Sequence, residues 1–356
     1  MVQKGNLFRR EHPDVPVLLD KGRFLLVDMA PERVQELGAG DVPCYAVRPL
    51  EALEAAGAHE GNRIVFAARS RTADRAAAGP PDPTVQALTA RVSRASYEAT
   101  LTRLAQFPTR HSTTTHFTEA CTFVEQQLSA LGYPTSRQSI TVNGSPSANV
   151  MARRTGTGMA PRGLVLVTAH LDSINEAGTS ASRAPGADDD GSGSAGVIEI
   201  ARVLKDHQGK HDLQFILFGG EEQGLFGSKA FVASMTAADR ARVRAVVQMD
   251  MIGSLNTPAP TVLLEGAALS QSVIDGLASA AATYTALAVQ TSLNPADSDH
   301  VPFIRKNMPA VLTIEGADRT NDAIHSARDT LHRINFDLAL EILRMNTAFV
   351  AEALQG

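Results

Sequence analysis

Three consecutive aspartates, Asp188, Asp189 and Asp190, lie in the segment GADDDGSGSAG (186–196), and the six residues from Gly191 also satisfy the pattern G-x-G-x-x-G. The two readings imply opposite chemistry. A dinucleotide fingerprint needs its glycines directly after the first strand, with the pyrophosphate against backbone N–H groups. Here the preceding apolar run, GLVLVTAH (163–170), ends well before the first of those glycines. Three carboxylates also stand where a diphosphate belongs, and unit charges ~4 Å apart repel by about 4 kcal/mol even at an effective dielectric near 20. The segment reads as a cation loop, whose glycines let the backbone turn tightly before the helix VIEIARVL begins.

The same kinds of residue recur at the ends of other apolar runs. His170 and Asp172 close the first. Glu221 and Glu222 follow LQFILFGG (213–220), Asp250 lies in AVVQMDMI (245–252), and His325 follows PAVLTIEG (309–316) after a short loop. Each has an ordinary reading alone: a satisfied structural histidine, a solvated Glu-Glu pair, an aspartate run that caps a helix. Four apolar runs that all finish in a metal-ligating residue favour a metal site over four coincidences.

The elements that carry them are continuous apolar strands alternating with helical segments such as VIEIARVLKDH and VIDGLASAAATYTAL. That alternation predicts an α/β fold, a mostly parallel twisted sheet with helices on both faces. In such sheets ligands collect outside the carboxyl ends of the strands. Amphipathic helices are predicted over 85–107 and 116–131, and a β-hairpin turning at Asn143-Gly144, preferred over a glycosylation reading of Asn-Gly-Ser. Ahead of this block, residues 1–69 read as a small α/β unit. It has strands at 23–29, CYAVRPL and 63–68, and helices at 31–37 and EALEAAGA. Residues 70–83, with three prolines, read as a linker to a catalytic domain over 84–356.

Composition narrows the function classes. The 356 residues carry a net charge of −5 and 44% hydrophobic residues, with no basic stripe for nucleic acid or anionic lipid. Cys44 and Cys121 are too few for a disulfide framework or a thiolate metal site. The N-terminal MVQKGNLFRREHPDVPVLL lacks the apolar core of a signal peptide, and no apolar run reaches 18 residues, so no membrane span is expected.

In order, HLDS, APGADDDGSG, GGEEQGLFGS, QMDMIG, SDH and IHSARDT resemble the co-catalytic zinc aminopeptidases typified by the bacterial secreted leucyl aminopeptidases, over about 84–356. The resemblance implies a zinc-exopeptidase-like fold and a secreted or periplasmic enzyme. It implies two zinc ions bridged by Asp189, with His170 and Asp250 completing one site and Glu222 and His325 the other. Glu221 is then the general base, acting on a hydroxide that bridges the ions, and Asp172 orients His170. Asp190 adjoins Asp189 through an unusual peptide bond, and residues 1–83 are similar to a removable pro-segment. The implied substrates are peptides with a free N-terminus. Elementary chemistry agrees: one imidazole plus carboxylates at each ion suits zinc better than calcium or magnesium, and a shared carboxylate holds two ions roughly 3.5–4 Å apart.

By alignment with the family motifs, Met251, Ile314 and Ile324 lie near the substrate side chain, although core packing explains them equally well. The sequence departs from the family here. LNPADSDH replaces a cysteine pair, and the loop GADRTNDAIH carries Asp318, Arg319 and Asp322 in place of aromatic residues, which leaves a charged side-chain preference open. Ser298-Asp299-His300 is read as a helix-start cap. The rival readings are a glutaminyl cyclase or carboxypeptidase-like zinc enzyme of the same fold, and a non-catalytic binding relative. The first and last would not need the full ligand set.

Overall fold

The computed structural model describes residues 2–3, 7–21, 24–39, 45–47, 69–70, 80–295 and 298–356. The expected helix EALEAAGA, the strand at 63–68 and most of the 70–83 linker lie outside the described residues. Toward the N-terminus, β1 (Val2–Gln3), β2 (Val17–Lys21), β3 (Phe24–Val27) and β4 (Tyr45–Ala46) form a four-stranded sheet in the order β2-β3-β1-β4. Helices Leu7–Glu11 and Pro31–Ala39 accompany it, the second with Pro31 at the first position, where its missing N–H costs no bond. Phe8, Val15, Leu25 and Val47 bury themselves in a small core of their own.

A nine-stranded sheet makes up the rest. Its strands are β5 (Arg69–Ser70), β6 (Thr135–Val142), β7 (Ser145–Arg154), β8 (Leu164–His170), β9 (Asp212–Phe218), β10 (Val243–Met249), β11 (Thr261–Glu265), β12 (Ala288–Ser292) and β13 (Ala310–Glu315), in the order β5-β12-β11-β13-β10-β8-β9-β7-β6. The central strands β13, β10, β8 and β9 run parallel. Antiparallel partners flank them, β7 against β9 and β11 against β13. The β6–β7 turn is Asn143-Gly144, both at positive φ, as a two-residue type I′ turn demands.

Parallel strands are covered on both faces, and β8 shows why its sequence is apolar without alternation: all seven of its residues are buried. Val165, Val167 and Ala169 face one layer with Phe215 and Leu217, against helices Gly193–Leu204 and Phe336–Ala353. Leu164 and Leu166 face the other with Ile216, Phe218, Phe231 and Phe303. Each such valine, leucine, isoleucine or phenylalanine side chain, fully buried, contributes about 1.5–3 kcal/mol.

The single helix expected over 85–107 is two, Pro83–Thr89 and Arg94–Ala105. Ser93 breaks it: its Oγ accepts the Ser96 N–H at 3.3 Å, and its own N–H donates to Glu199 Oε1 at 2.6 Å. The short strands β11 and β12, which extend the sheet past β13, had no counterpart in the sequence reading.

Candidate metal centre

All the acidic and histidine residues singled out at strand ends gather at the carboxyl edge of the parallel strands. His170 is the last residue of β8, Asp250 follows β10, Glu221 and Glu222 follow β9, and His325 lies in the loop after β13. All five side chains, with Asp189, are buried.

The three aspartates divide their work. Asp188 Oδ1 accepts the Gly253 N–H at 2.8 Å, and its Oδ2 accepts from Ser254 Oγ (2.5 Å) and Asn321 Nδ2 (2.8 Å). Asp190 Oδ1 accepts the N–H groups of Gly193 (2.9 Å) and Met251 (3.2 Å), and its Oδ2 accepts that of His170 (3.2 Å). These two carboxylates tie the loop to the strand ends around it. Asp189 turns inward: Oδ1 lies 3.2 Å from His170 Nε2 and Oδ2 lies 3.2 Å from His325 Nε2. The Asp189–Asp190 peptide is cis. Gly186 enters the loop at φ +50°, where a Cβ would meet the Asp189 carbonyl at 2.4 Å and Ser173 Cβ at 2.5 Å, so glycine is required.

The other carboxylates sort themselves about Asp189. Asp250 Oδ1 is 3.6 Å and Glu221 Oε2 3.9 Å from His170 Nε2, whereas Glu222 Oε2 is 2.7 Å from His325 Nε2. Glu221 therefore lies toward His170, and Glu222 lies against His325 with His170 also within reach. Asp172 is placed otherwise than a simple histidine partner. Its Oδ1 is 3.7 Å from His170 Nδ1, which lies 3.2 Å from the Asp172 backbone carbonyl. Its carboxylate accepts the backbone N–H of Glu221 on Oδ1 and of Glu222 on Oδ2, each at 3.2 Å. Asp172 thereby holds both glutamates at the strand end.

Burial would push the His170 imidazolium toward neutrality. The negative field of Glu221, with Asp172 and Asp189, outweighs it and holds the group well above its ordinary pKa. Burial, then the neighbouring Asp188 charge, lifts Asp329 to about 7. A buried space with this carboxylate excess and two imidazoles needs positive charge to be stable, and its mixed nitrogen and oxygen donors fit borderline divalent ions such as zinc. His170, Glu221 and Asp250 form one group able to hold an ion, and His170, Asp189 and Glu222 another.

Met251, Ile314 and Ile324 come together with Leu263 and Leu312 in one buried apolar cluster. Of the charges in the loop before His325, Asp322 pairs with Arg328 (3.0 Å) and Arg333 (3.1 Å), Arg319 pairs with Asp20 (3.6 Å), and Asp318 is buried. The helix-cap reading of Ser298-Asp299-His300 does not hold. Asp299 precedes helix His300–Ile304 with no capping bond from its side chain, and Ser298 Oγ donates to Asp250 Oδ2 at 2.7 Å.

Residues that carried no signal complete the surroundings. Arg110, wholly buried, donates to the carbonyls of Leu104, Leu171, Pro185 and Gly186, and so pins both ends of the segment between His170 and the aspartates. Asp329 accepts the N–H groups of Asp188 (2.9 Å) and Asp189 (3.0 Å). Nothing in the patterns around TRHST marked Arg110. Asp329, in the quoted IHSARDT, could have been suspected.

The fold and this edge cluster define a metallopeptidase-type centre. The chain belongs to peptidase family M28, whose model matches residues 149–350. Among similar proteins, leucine aminopeptidase 1 of Arthroderma otae is 28% identical over 294 residues, covering 75% of this chain and 76% of that protein. Among solved structures, BSAP, a zinc aminopeptidase from Bacillus subtilis, matches with a TM-score of 0.66 at 16% identity, over 74% of this chain and 96% of that one. Porphyromonas gingivalis glutaminyl cyclase also matches, with a TM-score of 0.60 at 21% identity, over 73% of this chain and 98% of that one. Likenesses at this identity establish the fold, and the choice of reaction rests on the family and the site.

Proposed function

We propose that this chain is a zinc-dependent aminopeptidase that hydrolyses the first peptide bond of peptides with a free N-terminus, using two zinc ions. The observation that carries the two-ion reading is Asp189, whose two carboxylate oxygens each lie 3.2 Å from a different histidine Nε2. His170 and Asp250 complete one ligand set, Glu222 and His325 the other. Bound zinc supplies Lewis-acid polarisation of the scissile carbonyl and of the attacking water.

The chain's own groups do the rest. Glu221, on the His170 side of the pair, takes the proton of the attacking water at a carboxylate oxygen and returns it to the departing amine. Asp172 fixes the backbone from which the side chains of Glu221 and Glu222 project. Met251, Ile314 and Ile324 are wholly buried against one another, as core residues are, and present no surface to the substrate's first side chain.

A carboxypeptidase-like reading needs a cation to hold an α-carboxylate. Arg110 commits its donors to four backbone carbonyls, and Arg319, Arg328 and Arg333 are paired with Asp20 and Asp322. Among the described residues these four arginines are engaged in this way, which supports the amino end. The leucine aminopeptidase relative supports the same choice over cyclisation of N-terminal glutamine. The test is release of the N-terminal residue from a free peptide before chelation, after it, and after zinc is restored. Loss and recovery support the reading, and turnover that survives complete metal removal overturns it.

A further inference from the structure

His325 stands apart from the other candidate ligands in how it is held. Its backbone has φ +54°, a left-handed conformation that non-glycine residues seldom adopt and that persists only where surrounding contacts impose it. Besides the local bond of Ser326 Oγ to the Ala323 carbonyl, two residues distant in sequence hold this segment. Glu176, in the loop between β8 and the aspartates, donates its backbone N–H to the His325 carbonyl at 3.1 Å. Its Oε1 lies 2.5 Å from His325 Nδ1. Arg10, on helix Leu7–Glu11 of the N-terminal unit, donates from Nη2 to Glu176 Oε2 at 2.9 Å and from Nη1 to the Ile324 carbonyl at 3.3 Å.

We propose that Glu176 is a positioning residue for His325, and that Arg10 brings the N-terminal unit into the metal site by holding Glu176. This rests on the reading of His325 as a ligand. A carboxylate on Nδ1 keeps the proton there and turns the Nε2 lone pair toward Asp189 Oδ2 and Glu222 Oε2, the direction from which an ion is held. His170 has a local substitute for this contact, the backbone carbonyl of Asp172 two residues on. His325 depends on a side chain and, through it, on a separate folding unit. The N-terminal unit then supports metal binding on the His325 side, where a purely inhibitory segment would leave zinc affinity alone.

The experiment uses the full chain and needs no substrate. Zinc is titrated against a chromophoric chelator for the wild type, Arg10→Met, Glu176→Gln, Glu176→Ala and Arg10→Met/Glu176→Ala, with thermal melts of the metal-free proteins to confirm folding. Glu176→Ala is expected to weaken one zinc about 10–100-fold and leave the other unchanged. Glu176→Gln, which keeps an acceptor for Nδ1–H, should retain more affinity than Ala. Arg10→Met should weaken the same zinc, and the double variant should be no worse than Glu176→Ala, because Arg10 acts through Glu176. Unchanged zinc constants in Glu176→Ala, or equal weakening of both ions with a destabilised metal-free protein, overturn the proposal. If the wild type takes up only one zinc, the two-ion reading falls, and the effect of Glu176→Ala on that ion still decides the role of Glu176.

Discussion

Replacing Asp172 with asparagine isolates the part this carboxylate plays. The substitution keeps shape and size, so no cavity opens. In the wild type each carboxylate oxygen accepts one backbone N–H, from Glu221 and from Glu222, at 3.2 Å, and Oδ2 also accepts from Ser112 Oγ at 3.1 Å. Asparagine offers one acceptor oxygen and one NH2 group, so one of the two glutamate N–H groups faces a donor. A hydrogen bond to a charged group contributes about 1.5–3 kcal/mol. If that loss is felt in placing Glu221, kcat/KM falls roughly 10–150-fold. The assay is kcat/KM on a free-N-terminus peptide at saturating zinc, with bound zinc counted in the same samples. Unchanged kcat/KM would refute the reasoning. So would a deficit that excess zinc fully repairs, since Asp172 would then act through metal retention and not through Glu221.

Three further outcomes follow from the same geometry. Arg110→Met strips the donor from four buried carbonyls at about 1–3 kcal/mol each, so with relaxation the metal-free protein should lose about 4 kcal/mol or more in urea denaturation; a loss below ~1 kcal/mol contradicts the pinning role. Glu221→Gln should keep its zinc and lose about 10²–10⁴ in kcat, whereas Glu222→Gln should lose zinc; the reverse pattern would exchange their roles. Burial acts to raise the Asp212 carboxyl, but the Gly156 N–H, Arg162 and Arg242 hold it below its ordinary value. The folded value lies below the unfolded one, so its stabilisation is full above roughly pH 4 and is lost as pH falls through the folded value. The stability gap between wild type and Asp212→Asn should therefore close on acidification, and a gap that widens would show the sign is wrong.

The sequence made the site far more legible than its supports. His170, Glu221, Glu222 and His325 close or follow apolar runs, Asp250 lies within one and Asp189 in the loop after another, and they could be gathered as candidates because a parallel sheet brings run ends to one edge. Which aspartate of three faces inward could not be read from spacing, since it depends on Met251, Gly253 and Ser254 offering partners to the other two. Arg110 and Glu176 escaped because an arginine bonded only to carbonyls, or a lone glutamate in a polar loop, has no periodicity to mark it. The break at Ser93 was missed because the apolar period continues across it, and the bond from Ser93 N–H to Glu199 is long-range. Short strands β11 and β12 are too brief for periodicity to separate from loop.

The most direct measurement compares matched peptides, one with a free N-terminus and one N-acetylated, digested by the zinc-loaded protein and analysed for release of the first residue. Release from the free peptide alone, abolished by chelation, is expected of a zinc aminopeptidase. Comparable release from both peptides, or cleavage only at the carboxyl end, would contradict that reading.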